Sequence, residues 1–277
     1  MINICYNSLS SYIGTLAEAI RTPHEIYQKM GVKAQDTYTQ VSGNVLQSEA
    51  EFYTTVRAKC VPPKGANFLH TLKEEGVEYV EVRLLDVNPY LPLGIDEPQI
   101  HFLDAFLLYC LLIDSPEHHG ELCDNVGLNV KAVVDSGHIT STMLRDISAK
   151  RSLKEWGNEI LDGVMIVARW LDRTNGGDNY ASSVAAQSAK LADTSKVPSV
   201  AMIDDMRAGD IPFYRFALDQ SLIHQADFQA QPLSNIERQH FQEVYNVSML
   251  EHAELEASPK LAFDDYLRHI LAAYESL

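Results

Sequence analysis

The densest chemistry in the chain lies in one short run, Val77-Glu78-Tyr79-Val80-Glu81-Val82-Arg83-Leu84-Leu85-Asp86-Val87, closed by Asn88-Pro89. Its β-branched residues are frequent and alternate with others, which predicts a strand. Successive strand side chains point to opposite faces. Tyr79, Glu81, Arg83 and Leu85 therefore share one face, and Val80, Val82 and Leu84 the other. A strand carboxylate can be a hard oxygen ligand for Mg²⁺. An arginine one pleat further can make two parallel hydrogen bonds to a phosphate. Glu81 and Arg83 thus suit a site that handles a phosphorylated species. By residue type alone, the same pair also fits a solvated face with a weak i,i+2 ion pair.

Other chemistries find less support. The sequence contains no GxxxxGK[ST] or GxGxxG loop, and no GxSxG, HExxH or HRD motif. His118-His119 follows Pro116 in a polar stretch and reads as an exposed loop. His224, His240, His252 and His269 fall on predicted helices at unrelated spacings. Asp204-Asp205 are adjacent on a predicted helix and do not face each other. The four cysteines (Cys5, Cys60, Cys110, Cys123) form no CxxC pair, so neither a structural zinc site nor a dithiol motif is read. Cys110 lies in an apolar run and is expected to be buried.

The elements that must position Glu81 and Arg83 fall into two regimes. Up to about residue 95 the signals are mixed. Leu9, Ile13, Leu16 and Ile20 recur at helical spacing before Pro23, residues 43–47 and 53–58 are short extended candidates, and residues 67–75 read as a helix stopped by Gly76. Beyond residue 95 the patterns are almost wholly helical: 98–114, 152–174, 180–192, 199–208, 212–225, 235–257 and 263–275. Ser234 and Glu237 are spaced as a capping box for the sixth of these.

Composition narrows the partners. With 22 Lys+Arg against 38 Asp+Glu the formal net charge is −16, which repels phosphodiester backbones and anionic membranes. No nucleic-acid or membrane partner is expected. The longest apolar stretch, near residues 105–113, is short of the roughly 20 residues a spanning helix needs. Residues 1–6 lack the charged and apolar regions of a signal peptide, so a cytoplasmic chain is expected.

Gly76-Val77-Glu78-Tyr79-Val80-Glu81-Val82-Arg83, followed by Leu85-Asp86-Val87-Asn88-Pro89-Tyr90, resembles the core motif of proteobacterial-type glutamate–cysteine ligase. The likeness continues through Pro92, Gly94, Asp96-Glu97 and Phe102-Leu103-Asp104. Upstream it includes Arg21-Thr22-Pro23 and the block Asn44-Val45-Leu46-Gln47, Glu49, Glu51, Tyr53 and Arg57. Downstream it includes Leu171-Asp172, Asn175-Gly176-Gly177 and Tyr180, and it thins after about residue 194. Several blocks in the right order are far more specific than any one of them.

The resemblance implies an α+β fold. A partial antiparallel sheet of glutamine-synthetase-like type would fill the N-terminal third, followed by a mostly α-helical C-terminal region. Residues 1–95 would be a catalytic-sheet remnant and residues 96–277 a helical region. It implies ATP- and Mg²⁺-dependent joining of the γ-carboxyl of L-glutamate to the amine of L-cysteine through an acyl phosphate, the first step of glutathione synthesis. Glu81 would be a Mg²⁺ ligand, and Arg83 would contact the transferring phosphoryl group. Tyr53 would line the cysteine pocket, while Asn44, Gln47 and Arg57 would lie on the nucleotide side. Ala50 departs from the polar residue common at that position. The family's chain is much longer, and its N-terminal part supplies most of the metal carboxylates. The sequence therefore reads as the C-terminal part of a ligase, incomplete or split, with an N-terminal ligase half or self-association as partner. The alternative is an inactive helical interaction or regulatory module derived from the ligase.

Overall fold

The computed structural model describes residues 4–147 and 149–277; the signal-peptide reading of residues 1–6 therefore lies partly outside the described residues. In chain order the elements are α1 (Leu9–Arg21), α2 (Glu25–Met30), β1 (Lys33–Ala34), β2 (Thr37–Tyr38), β3 (Val56–Lys59), α3 (Phe68–Glu75), β4 (Tyr79–Val82), α4 (Glu97–Leu112), α5 (Glu121–Ser136), β5 (Met143–Arg145), β6 (Lys150–Ser152), α6 (Leu153–Asn175), α7 (Asn179–Ala192), α8 (Pro198–Gly209), α9 (Phe213–Gln229), α10 (Asn235–Ala257) and α11 (Phe263–Glu275). The chain is mostly helical, with small antiparallel two-stranded sheets β1–β2, β3–β4 and β5–β6.

Two compact units divide the chain. One is Met1–Leu85 with Leu233–Leu277, and the other is Asp86–Pro232. The division falls ten residues before the sequence boundary at 95, and it returns α10 and α11 to the unit that holds the sheet strand.

In the first unit, α1 starts at Ser8, whose side chain accepts from the Ser11 N–H. Its apolar stripe buries Tyr12, Ile13, Leu16 and Ile20 against Leu46, Cys60, Leu69, Leu72 and Tyr274. Leu16, Leu69 and Leu72 are essentially sealed from solvent, each contributing about 1.5–3 kcal/mol of burial. Asn67 caps α3 by accepting from the His70 N–H. Gly76, at φ +86°, then turns the chain into β4, a conformation that side chains with a Cβ rarely adopt.

In the second unit, α4, α6 and α7 close on a core of Ala105, Leu161, Val164, Ala168 and Val184. Buried Asp172 near the end of α6 accepts from the N–H groups of Tyr180 and Ala181, both at 2.9 Å. A carboxylate at the positive end of α7 satisfies two donors that the helix itself leaves unpaired.

The expected long strand over residues 77–87 pairs only over Tyr79–Val82. Residues 43–47 form no strand beyond the isolated bridge Pro23↔Asn44. The region after residue 95 is mostly helical, as expected, but two of its elements were not read from the sequence. The β5–β6 hairpin lies there, as does α5, whose apolar residues are broken up by Cys123, Gly127 and acidic positions. Cys110 is exposed rather than buried, because only Ala105 of apolar α4 is fully covered. Among the described residues, no helix is long and apolar enough to cross a membrane.

Candidate functional site

The site is built on β3 and β4. They pair antiparallel with Val56 opposite Val82, Arg57 opposite Glu81, Ala58 opposite Val80 and Lys59 opposite Tyr79. The pairing is extended by Arg83 N–H to Thr55 O at 2.8 Å and by Glu78 N–H to Lys59 O at 2.9 Å. Directly opposed residues share a face, so one face of the ribbon carries Arg57, Lys59, Tyr79, Glu81 and Arg83. Ala58, on the other face, packs on the core of the first unit, which anchors the ribbon.

Glu81 Oε1 accepts from Arg83 Nε at 2.9 Å and lies 2.6 Å from Arg83 Nη2, a two-toothed ion pair. The Arg83 guanidinium in turn sits over the Tyr53 ring, 4.4 Å from its centroid. Hydrogen bonding to Arg83 is the main cause that holds the Glu81 carboxyl below the usual range, with the charges of Lys59 and Arg57 adding to it. Arg57 is buried at 6% exposure; its Nη2 donates to Glu49 O at 3.1 Å, while among the described residues its Nε has no hydrogen-bond partner. Glu81 Oε2 is likewise buried with no hydrogen-bond partner among the described residues, and Lys59 Nζ lies 3.9 Å away.

The sequence-expected residues divide here. Tyr53, Arg57, Glu81 and Arg83 come together. Asn44 and Gln47 are committed elsewhere, to α1 and to the loop around them. The Asn44 Nδ2 donates to Ile20 O at 2.7 Å, and Gln47 Nε2 donates to Glu51 Oε1 at 3.1 Å while its Oε1 accepts from the Val41 N–H. Lys59 joins the cluster although no motif singled it out. The signal was available: it lies two residues beyond Arg57 on an alternating strand.

The far end of the chain braces this region. Tyr274 on α11 donates from its hydroxyl to the Glu49 carboxylate, beside the carbonyl that receives Arg57. His70 Nε2 lies 2.9 Å from Ala273 O.

The cluster supplies one metal-ligating position at most. The orphaned Glu81 Oε2 is a free oxygen. However, among the described residues no three His, Cys, Asp or Glu gather as a metal site, and three cations surround this carboxylate. A Mg²⁺ ion needs further carboxylate, phosphate or water oxygens, so these residues alone do not hold one. The face favours an anion: three positive side chains meet one carboxylate in a chain whose net charge is −16.

Comparison with known proteins places this site in a class. Residues 1–133 match the family model for glutamate-cysteine ligase, a stretch that contains β3, β4 and every expected site residue. A glutamate–cysteine ligase of Pseudomonas paraeruginosa is 41% identical over 272 residues, covering 98% of this chain and 51% of that protein. One from Azotobacter vinelandii is 39% identical over the same length and shares. The crystal structure of the Francisella tularensis glutamate–cysteine ligase in complex with AMP superposes with a TM-score of 0.88 at 27% identity. It covers 99% of this chain and 54% of that one. Over residues 1–133 the chain matches the glutamate–cysteine ligase family, and over 98% of its length it is similar to a glutamate–cysteine ligase. It spans about half the length of the curated relatives it matches.

Proposed function

We propose that the chain contributes the phosphoryl-handling face of an ATP-dependent glutamate–cysteine ligase. In that reaction a γ-carboxylate oxygen of glutamate attacks the terminal phosphorus of ATP, and the bond to the ADP oxygen breaks. The cysteine amine then attacks the acyl carbon, phosphate leaves, and the amine loses a proton. Arg83 binds and offsets the charge on the transferring phosphoryl oxygens, a task in which positioning and electrostatics dominate. Glu81 holds the Arg83 guanidinium in one geometry and offers its free oxygen as one ligand for the Mg²⁺ that accompanies ATP. The other ligands come from the rest of the family's length, joined to this chain or supplied by a separate one. Tyr53 fixes the opposite face of the guanidinium and borders the cysteine pocket. Asn44, Gln47 and Arg57 are the nucleotide-side candidates, of which Arg57 alone lies on the ribbon face.

The observation that carries this reading is the Glu81–Arg83 ion pair opposite Arg57 on one ribbon face, in a chain that matches the ligase family over this stretch. The test is glutamate- and cysteine-dependent ADP release, measured for the chain alone and mixed with a polypeptide spanning the other half of a relative. Activity in the mixture should fall at least a hundredfold with Arg83→Ala, the order expected when a transition-state contact is lost. An inactive mixture, or an Arg83→Ala chain as active as the parent, overturns the assignment.

A second reading, a non-catalytic interaction module, draws on α10. This helix of 23 residues exposes Ile236, Phe241, Tyr245 and Leu250. Inactivity of the mixture combined with stable binding of the two polypeptides would favour it.

A further inference from the structure

Lys59 is a partly buried cation without an assigned task. Its side chain keeps 24% of its exposure, and its Nζ stops 3.9 Å from Glu81 Oε2, too far for a hydrogen bond. Among the described residues the ammonium has no hydrogen-bond partner, and the Phe68 ring, 5.2 Å from Nζ, is its other close neighbour. An ammonium can donate three hydrogen bonds. Holding one at this depth beside Arg57 and Arg83 is unfavourable unless an anion joins them. The ion pair to Glu81 Oε2 is long, and the single charge of Glu81 is shared with Arg83 and faces Arg57, so three cations meet one carboxylate.

We infer that Lys59 is a phosphate-binding residue of this site, donating from Nζ to oxygens of the polyphosphate chain while Arg83 holds the transferring phosphoryl group. The inference deepens the ligase reading and rests on it. Lys59 and Arg83 belong to opposite strands of one ribbon and flank Glu81 on the same face, so two neighbouring phosphates can be gripped at once. An ammonium acts as an adaptable point charge, which suits a non-transferring phosphate.

The test is isothermal titration of the full chain with inorganic tripolyphosphate in metal-free buffer, using the parent, Lys59→Met, Lys59→Arg and Arg83→Met. The parent should bind. Lys59→Met should weaken binding roughly tenfold, as expected for loss of one charge-assisted contact, and Lys59→Arg should restore most of it. Binding by Lys59→Met should also depend less steeply on salt, a change that a purely structural defect would not produce. Lys59→Gln replaces Lys59→Met if the latter does not fold. If Lys59→Met matches the parent while Arg83→Met is weakened, the role of Lys59 is overturned and the ligase reading stands. If the folded parent does not bind, the role of Lys59 is overturned, and the ligase reading is decided separately by ADP release from the mixed polypeptides.

Discussion

Two tyrosines show how single residues are fixed by carboxylates. The Tyr90 hydroxyl donates to Asp205 Oδ2 at 2.6 Å, and burial followed by that acceptor pushes the phenol up to about 12. Tyr274 is raised further by burial and by Glu49. Each phenol is held in its protonated, donating form. A pKa raised in the folded state stabilises fully below the unfolded value and is lost as pH rises through the folded one. For Tyr90 that window runs from the ordinary phenol range, about 10, to about 12. Ultraviolet difference titration should show a late-ionising tyrosine that disappears in Tyr90→Phe; an unchanged titration would refute the contact. Glu81 has the opposite sign. Its depressed pKa makes the pair with Arg83 present above the ordinary carboxylate range and lost only as pH falls below it. The family motif contained Glu81 and Arg83, and their alternation placed them on one face. What the motif did not contain is Lys59, because its relevance depends on which strand lies across from it.

At the scale of elements, close helix approach limits what the second unit tolerates. A Cβ at Gly163 on α6 would sit 2.8 Å from Tyr109 Cζ on α4, closer than real Cβ contacts, and a ring set in a packed helix pair cannot step aside freely. Gly163→Ala should therefore destabilise this unit by about 1–3 kcal/mol despite the better helix propensity of alanine, measured by urea unfolding. A gain in stability would mean that α4 and α6 are less closely packed. Legibility followed local signal. The helix starts at Ser234 and near Leu9 and Asn67, and the stop at Gly76, were readable because caps and periodicity are local. The β5–β6 hairpin was not, because its three-residue strands are too short to show an alternation.

For the whole molecule, exposed apolar surface sets the expected behaviour. Leu111 and Leu112 at the end of α4, Val134 on α5, and Leu250 on α10 are each more than half exposed. Among the described residues the β3–β4 ribbon has two strands, so each strand keeps an unpaired edge. Such surfaces promote association. Light scattering of the isolated chain should show concentration-dependent oligomers that recede when a polypeptide spanning the other half of a relative is added; a clean monomer at high concentration would contradict this. The sequence by itself determined most of the helices, the Glu81-x-Arg83 alternation and the family resemblance, because these depend on local periodicity and on ordered motif blocks. Tertiary structure alone decided that Arg57 and Lys59 face Glu81, that α11 returns to brace Glu49, and that Asn44 is held by the Ile20 carbonyl and Gln47 by Glu51. Strand register and long-range hydrogen bonds join residues dozens to hundreds of positions apart, and no local pattern encodes that distance.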